Sequence, residues 1–348
     1  MIEAAFAIPG DIELPTGGYA YDRHVLALLP SCDVDARHVV LPGSFPAPQP
    51  ADLDQTERLL RAIAPHVVLM VDGLAYGAMP AALVARLRNP IVALVHHPLY
   101  LEAGLSPARR DQLFEQEKAA LALAKRVVVT SRTTADTVAK DFGVPPATIT
   151  VAEPGTEPMP RAVEAAGPVH ILSVGSVVAR KAHDVLVRAL APLRDQPWRL
   201  TIAGATDRDP AALAALNKAI GETGLGDRIT LTGPLPSDAL ARLYGSAGIF
   251  VLPSLYEGYG MALAEAMSAG LPIVCTTGGA AAETVPDTAA LKVPPGDAGA
   301  LGTALRRLLD DDALRRRMAD ASWTAGRSLP RWEDTARRVA GVIKELAA

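Results

Sequence analysis

The 348-residue sequence is poor in cysteine, in aromatic residues and in net charge. Its two cysteines lie far apart, at positions 32 and 275, so no disulfide is expected and a reducing compartment fits. Aromatic residues make up only 4%, which leaves alanine, valine and leucine to fill the cores. The net charge of −4 and the pI near 6.0 offer nothing that would neutralise a phosphate backbone, so no nucleic acid partner is expected.

The sequence also lacks the long apolar run that a membrane-spanning helix needs. No stretch reaches the roughly 18 consecutive apolar residues of such a helix. The opening, MIEAAFAIPG, is typical of a first strand and has no basic segment of the kind that begins a signal peptide. We therefore expect a soluble, cytoplasmic protein, and the sequence stays compatible with peripheral contact to a membrane surface.

Short β-branched runs alternate with longer helical stretches along the whole chain. Continuous apolar strands such as VVLMV at residues 67–71 suit parallel sheets that are covered on both faces. Alternation with helices implies right-handed βαβ crossovers and an α/β fold class. Strands are predicted near residues 2–8, 37–41, 67–71, 90–96, 126–131, 148–152, 169–175, 198–204, 228–232, 247–252, 271–276 and 289–293.

A segment rich in proline and glycine, residues 153–168, lies between two similar halves and is the best candidate for a linker. We expect one Rossmann-like domain over residues 1–160 and a second over residues 161–325. The tail, residues 326–348, is typical of an amphipathic helix that could pack back on the N-terminal domain. Doubly wound sheets bind ligands at the carboxyl ends of their strands, so the two crevices are expected to face each other across a cleft.

Two glutamates lie where a buried strand passes into a helix, within SLYEGYGMALAEAMSAGLP at residues 254–272. Glu257 is predicted in the connecting loop, and Glu265 about one turn into the helix that begins at Met261. Backbone N–H groups are unpaired at such a place and attract anions. Two acidic residues there need a functional reason.

The segment that begins VLPSLYEGYGMALAEAM resembles the donor-site signature of retaining GT-B glycosyltransferases of the family 4, or group 1, type, with two glutamates separated by seven residues. Other stretches resemble that family in order and spacing: PTGGYAYDRHVLALL, VALVHHP, EPGTEP, ILSVGSVVARKAHDVLVRAL and ITLTGPLPSDALARLYGSAGIFVLPS. The likeness is strong for residues 170–290 and weak for residues 1–130. It implies a GT-B fold, two doubly wound Rossmann-like domains facing across a cleft.

The resemblance also implies an activity. A hexosyl unit would pass from a nucleotide-diphosphate sugar to a hydroxyl of a glycan, a lipid or a small molecule, with retention of configuration. The donor's own phosphate would take the proton of the acceptor, which agrees with the lack of an evident general base. The donor is a substrate, and neither a cofactor nor a metal is expected.

The same resemblance implies which residues bind the donor. Glu257 would hydrogen-bond the hydroxyls of the sugar, and Glu265 the ribose. Gly17 and Gly18, which are predicted to precede a helix beginning near Tyr19, would let the N-terminal half approach the phosphates. The remaining implied donor-binding positions, several of them through backbone N–H groups, are Gly175, Leu235, Gly258, Tyr259, Gly260, Met261 and Ala262.

Three further residues are candidates for the reaction itself. Arg180 and Lys181 follow the strand near 169–175, where fixed cations would stabilise the charge that gathers on a departing nucleoside diphosphate. The arginine of the family normally follows the glycine of this strand, and Ser176 stands there instead; either Arg180 supplies that charge or the leaving group is held less firmly. His96 matches the family's histidine near the reacting sugar, where it would orient the acceptor or the sugar 6-hydroxyl.

The sequence leaves several alternatives open. Glu257 could be a helix cap, Glu265 a surface residue and His96 a structural histidine. The DVD motif at 33–35 mimics a metal-binding aspartate pair but precedes an early strand, and GYGMAL at 258–263 has leucine where a dinucleotide fingerprint needs its third glycine. The alternative functions are a nicotinamide-dependent oxidoreductase and a nucleotide-sugar-binding partner without turnover.

Overall fold

The computed structural model describes residues 1–164 and 166–348, and these residues form two compact units. Unit 1 comprises Met1–Gly155 together with Pro330–Ala348, and unit 2 comprises Thr156–Leu329. The boundaries expected from the sequence, 160/161 and 325/326, differ from these by a few residues. The chain enters unit 2 directly after Gly155 and leaves it only after Leu329.

Unit 1 is built around a six-stranded parallel sheet. Its strands are β1 Ile2–Pro9, β2 Val34–Leu41, β3 Val68–Asp72, β4 Ile91–Val95, β5 Arg126–Val129 and β6 Ile149–Val151. Their order across the sheet is β2-β1-β3-β4-β5-β6. The helices of this unit are α1 Gly17–Leu28, α2 Pro50–Arg61, α3 Gly73–Tyr76, α4 Ala81–Val84, α5 Pro107–Leu121, α6 Arg132–Phe142 and, from the end of the chain, α14 Trp332–Ala347.

Unit 2 repeats this architecture. Its strands are β7 Val169–Val174, β8 Trp198–Ala203, β9 Ile229–Leu231, β10 Ile249–Leu252, β11 Ile273–Thr276 and β12 Ala290–Val293, in the parallel order β12-β11-β10-β7-β8-β9. Its helices are α7 His183–Leu190, α8 Pro210–Thr223, α9 Ser237–Ser246, α10 Met261–Ser268, α11 Ala281–Thr284, α12 Ala298–Asp310 and α13 Asp312–Gly326.

The central strands explain the apolar runs of the sequence. Every residue of β3, β4 and β10 is buried, as expected for strands of a parallel sheet that helices cover on both faces. The edge strand β2 begins at Val34, earlier than predicted, because its parallel pairing with β1 already starts at Ile2 and Val34. The DVD motif therefore does not precede the strand: Val34 and Asp35 lie within it.

The predicted linker, residues 153–168, is not a free connection. The backbone N–H of Met159 donates to Ser268 Oγ at 3.0 Å. The N–H groups of Ala162 and Val163 donate to the carbonyl oxygens of Ala269 and Gly245 at 2.8 and 2.9 Å. The segment is thus held on unit 2 by hydrogen bonds, and the part of the prediction that falls on Ala165 lies outside the described residues.

Helix α14, from the end of the chain, packs on unit 1. Trp332 stacks on His24 of α1, with ring centroids 4.1 Å apart, and Thr335 donates a hydrogen bond of 2.6 Å to the carbonyl oxygen of Glu153. Gly155 passes so close to the backbone of Trp332 that a Cβ atom there would collide with it. Across the described part of the chain, no helix has the length and apolar character to cross a bilayer.

Candidate functional site

In unit 2, charged side chains gather at the carboxyl ends of β7 and β10. Arg180 and Lys181 lie on a single 3-10 turn, Ala179–Lys181, which follows β7. Glu257 lies in the loop between β10 and α10, as the sequence predicts. The N–H of Leu255 donates to the carbonyl oxygen of Arg180 at 2.7 Å and ties the turn to the loop.

Glu257 is the anion of this cluster, and it is only 6% exposed. Its Oε1 atom accepts a hydrogen bond from Lys181 Nζ at 2.6 Å and lies 3.5 Å from Arg180 Nη1. The same Arg180 nitrogen donates to the carbonyl oxygen of Tyr256 at 2.8 Å. Burial alone would raise the pKa of Glu257, but Lys181 and Arg180 lower it to about 2, so the carboxylate is ionised.

The backbone around Glu257 is held by two glycines that follow β11. Glu257 forms a parallel bridge with Gly279, and its N–H donates to the carbonyl oxygen of Gly278 at 3.2 Å. Cβ atoms at these glycines would collide with the carbonyl oxygens of Leu255 and Glu257, and Gly279 has a φ of +61°. Glycine is needed here because the two loops approach backbone to backbone.

Gly175, at the end of β7, makes room for Lys181. A Cβ atom on Gly175 would lie 3.0 Å from Cε and 3.3 Å from Cδ of that lysine. Ser176, which stands where the family has arginine, is the next residue. The geometry brings the guanidinium of Arg180 to the same carboxylate as Lys181, so the cluster carries two cations and one anion.

Glu265 lies in α10, one turn beyond Met261, as predicted. Its Oε2 atom accepts a hydrogen bond of 2.7 Å from the hydroxyl of Tyr244, a fully buried residue of α9. The Tyr244 ring in turn stacks on Phe250 of β10, with centroids 5.7 Å apart. Burial raises the pKa of Glu265, against the opposing effects of Tyr244 and Lys181.

The glycine-rich loop before α10 provides backbone rather than side chains. Gly260 is the N-cap of the helix and has a φ of +93°, a conformation that favours glycine. Met261 and Ala262 are the first two helical residues, whose N–H groups have no acceptor within the helix. Gly258 and Tyr259 precede them. Leu235 lies in a different loop, between β9 and α9, and is half-buried.

In unit 1, His96 directly follows β4, and its ring contacts two buried carboxylates. Its Nε2 atom lies 3.3 Å from Asp22 Oδ1 and 3.2 Å from Asp72 Oδ2. The neighbouring His97 instead lies 3.2 Å from Glu102, so the adjacent histidines have different partners. The three ligand-type atoms of Asp22, Asp72 and His96 all lie within 4.8 Å of one another.

The prediction that Gly17 and Gly18 precede the helix is wrong. Helix α1 begins at Gly17, because the hydroxyl of Thr16 accepts from the N–H of Tyr19 at 3.3 Å and caps the helix there. Both glycines thus form the first turn. A Cβ atom on Gly18 would touch the ring of His96 at 3.4 Å, so this glycine lies against the histidine.

Comparison with known proteins places both units in one family. The model for Glycosyltransferase Family 4 matches residues 17–158, and that for Glycosyl transferases group 1 matches residues 168–311. The chain is 30% identical over 283 residues to the MMP alpha-(1->4)-mannosyltransferase of Mycolicibacterium hassiacum, covering 76% of this chain and 67% of that relative. The chain belongs to glycosyltransferase family 4.

Other named glycosyltransferases match over shorter stretches. The D-inositol 3-phosphate glycosyltransferase of Xylanimonas cellulosilytica is 31% identical over 176 residues, which is 50% of this chain and 42% of that protein. The alpha-D-kanosaminyltransferase of Streptomyces kanamyceticus is 34% identical over 153 residues, 43% of this chain and 39% of the relative. The chain therefore spans less than half of these two relatives.

Solved structures show the fold of this chain. The sucrose-phosphate synthase from Thermosynechococcus elongatus matches with a TM-score of 0.82 at 22% identity, over 99% of each chain. Anabaena HepE, in complex with UDP-glucose, matches with a TM-score of 0.78 at 16% identity, over 98% of this chain and 99% of that one. The fold is GT-B, and the alternative of a nicotinamide-dependent oxidoreductase is not favoured.

Three residues that contact predicted site residues were not predicted from the sequence. Asp22 and Asp72 contact His96, and Tyr244 contacts Glu265. Asp72 had a usable signal, because a charged residue ends the buried strand VLMVD just before a glycine. Asp22 lies four residues after Gly18, one helical turn away, but nothing in the sequence shows that this face of α1 meets His96. Tyr244 had no signal beyond its place on an amphipathic helix.

Proposed function

We propose that this glycosyltransferase moves a hexosyl unit from a nucleoside-diphosphate sugar to an acceptor hydroxyl, with retention of configuration and without a metal ion. The observation that carries the proposal is the cluster of Arg180, Lys181 and Glu257 at the carboxyl ends of β7 and β10. Ligands of doubly wound sheets bind at this edge. The cluster combines the cations that a diphosphate needs with an ionised carboxylate that can accept hydrogen bonds from sugar hydroxyls.

The names of relatives support the class of substrate. They include a mannosyltransferase, a kanosaminyltransferase and a 2-deoxystreptamine glucosyltransferase, all of which are named for a transferred sugar of hexose size. HepE, with the same fold, has been solved with UDP-glucose bound. A nucleotide sugar is thus the donor to test first, and the acceptor remains a glycan, a lipid or a small molecule.

The roles proposed for the cluster follow from its charges. Lys181 and Arg180 would stabilise the negative charge that develops on the departing diphosphate, which lowers the barrier because the charge is larger in the transition state. Glu257 has one oxygen in contact with both cations, and its second oxygen would receive the sugar hydroxyls. The proton of the acceptor would pass to the donor's phosphate, and the attack would come from the same face as the departing group.

The test uses the 348-residue chain with a panel of UDP-, GDP- and ADP-sugars. We expect one class to stabilise the protein against heat, since a ligand at 100 times its dissociation constant adds about 2.7 kcal/mol, and NAD and NADP to give no shift. Release of nucleoside diphosphate would then show turnover. Proton NMR of the first product should show the anomeric configuration of the donor, and EDTA should leave the rate unchanged.

Each opposite result contradicts a different part of the proposal. Inversion at the anomeric carbon would refute the retaining mechanism while leaving transfer intact. Loss of activity in EDTA that Mg²⁺ restores would refute metal independence. Tight binding of a nucleotide sugar with neither hydrolysis nor transfer, across a panel of sugar, lipid and polyol acceptors, would favour the non-catalytic binding partner, for which Ser176 in place of the family arginine is the supporting observation.

A further inference from the structure

His96 presents a single ring nitrogen to two carboxylates. Nε2 lies within 3.3 Å of Asp22 Oδ1 and within 3.2 Å of Asp72 Oδ2. Asp22 is fully buried and Asp72 is 2% exposed, whereas the side chain of His96 is 21% exposed. The histidine is therefore the part of this cluster that another molecule can reach.

The two carboxylates are positioned by different elements. Asp72 is the N-cap of α3, and its Oδ1 atom accepts from the N–H of Leu74 at 2.9 Å, which leaves Oδ2 for the histidine. Asp22 projects from the first half of α1. Its second oxygen, Oδ2, is buried and has no hydrogen-bond partner within the part of the chain that the structure describes. His96 is thus the hydrogen-bond partner of an otherwise unsatisfied buried carboxylate.

The ring of His96 is fixed on several sides. The edge that carries Nε2 and Cδ2 faces Gly18, where a Cβ atom would touch it at 3.4 to 3.5 Å. Tyr21 packs edge-on against the ring, with centroids 5.2 Å apart, and the hydroxyl of Thr130 donates to the carbonyl oxygen of His96 at 3.0 Å. With Nε2 directed at the carboxylates, Nδ1 is the nitrogen left for another molecule.

The charges around His96 favour a proton on both nitrogens. One carboxylate beside a histidine orients a catalytic base, but two buried carboxylates stabilise its conjugate acid much more strongly. Burial alone would lower the pKa of His96, yet Asp22 and Asp72 raise it to about 10. Burial and the charge of Asp72 raise the pKa of Asp22, whereas the charge and the hydrogen bond of His96 lower it, so each member of the pair stabilises the ionised form of the other.

The other charged neighbours do not replace the histidine. Arg23, next to Asp22 on α1, directs its guanidinium to the carbonyl oxygens of Ile12 and Leu14. Glu102 lies 3.2 Å from His97, the residue after His96. Tyr21 is an uncharged phenol, because burial raises its pKa. The charge of Arg23 lowers the pKa of Asp22, but His96 is the cation that contacts both carboxylates.

We propose that Asp22 and Asp72 are positioning residues that keep His96 as an imidazolium, so that its Nδ1–H donates a hydrogen bond to a substrate oxygen and the ring does not act as a base. The substrate part of this inference rests on the proposed glycosyl transfer, and the oxygen is a sugar hydroxyl or an anionic oxygen. The charge state of the ring does not depend on that function and can be measured without a substrate.

Nitrogen NMR of the histidine rings tests the charge state in the 348-residue chain. His96→Gln assigns the signal among the seven histidines. We expect both nitrogens of His96 to stay protonated from pH 6 to pH 9 in the wild type. In Asp22→Asn, and in Asp72→Asn, the titration midpoint should fall by at least one pH unit, toward the value near 6.5 of an unperturbed histidine. The control Glu102→Gln, which removes the partner of His97, should leave it unchanged.

The pH dependence of kcat/KM tests the role, because a donor and a base predict opposite signs. In Asp22→Asn, a required imidazolium makes activity fall as the pH rises through the lowered pKa. A required base makes activity fall as the pH is lowered. Neutral His96 at pH 8 in the wild type, a midpoint that neither asparagine variant moves, or a ring signal that changes with EDTA would overturn the charge state. Acid-side loss of activity in Asp22→Asn would overturn the donor role alone.

Discussion

Replacing Glu257 with glutamine removes a charge from a buried cluster while keeping the shape of the side chain. The side chains of Lys181 and Arg180, which face this carboxylate, are only 14% and 17% exposed. Water can therefore compensate little for the lost anion, and two neighbouring cations remain without it. We therefore expect Glu257→Gln to lower the free energy of unfolding of unit 2. A substitution that preserves the shape of the side chain would otherwise be expected to leave the stability unchanged.

The size of the loss follows from the pKa of Glu257. Burial raises it, but Lys181 and Arg180 bring it to about 2, against 4.5 for an unperturbed glutamate. This difference corresponds to about 3 kcal/mol of stability at pH 7. Because the pKa is lower in the folded state, the stabilisation is complete above about pH 5 and is lost as the pH falls toward 2. It should be roughly halved at pH 3.

Urea unfolding at several pH values measures this loss. The difference in unfolding free energy between the wild type and Glu257→Gln should be about 3 kcal/mol at pH 7 and should shrink between pH 5 and pH 3. Glu222→Gln is the matched control in unit 2. Glu222 pairs with Arg188, and half of the glutamate side chain is exposed. Exposed ion pairs of this kind contribute less than about 1 kcal/mol. Equal stability of wild type and Glu257→Gln at pH 7, or a difference that does not change with pH, would refute the reasoning.

Three further predictions concern other parts of the chain. Lys181→Ala should lower kcat by about 10²–10³, and Arg180→Ala should do so comparably if Arg180 supplies the leaving-group charge; an unchanged rate in Arg180→Ala would show that it does not. Tyr244→Phe, which removes the hydrogen bond to Glu265, should raise the donor KM with little change in kcat, and steady-state kinetics showing the reverse would place Glu265 at the reacting sugar. Burial raises the pKa of Glu117 from 4.5 to about 8. Between these pH values the glutamate ionises in the unfolded chain but stays protonated in the folded one, so the fold loses stability as the pH rises. The melting temperature of Glu117→Gln relative to wild type should therefore rise over that range, and a constant difference would contradict this.

The strands and the donor loop were predictable because their signals are local. Buried parallel strands give continuous apolar runs, and all twelve predicted strands are present, with ends that differ by up to three residues. The placement of Glu257 before α10 and of Glu265 within it followed from one strand and one helix that are adjacent in sequence. No contact between distant segments was needed for either.

The contacts of the site were not predictable, because they join segments far apart in sequence. Glu257 meets Lys181 across 76 residues, and His96 meets Asp22 across 74. The start of α1 was misplaced for a local reason, since glycine favours loops in general and only the Thr16 cap moves the first turn onto Gly17. An isolated sequence does not show which surface of a helix meets a strand end, so Asp22 stayed unnoticed.

The return of the chain to unit 1 has a consequence for synthesis on the ribosome. Unit 2 is one continuous stretch, Thr156–Leu329, whereas unit 1 lacks α14 until Pro330–Ala348 has been made. During translation the first half of the protein would wait with the surface around Tyr21 and His24, on which Trp332 packs, uncovered, while the second half could already fold. This reverses the usual order in which the N-terminal domain folds first. A fragment that ends at Gly155 would likewise expose that surface, and residues 156–329 make the better fragment for isolated study.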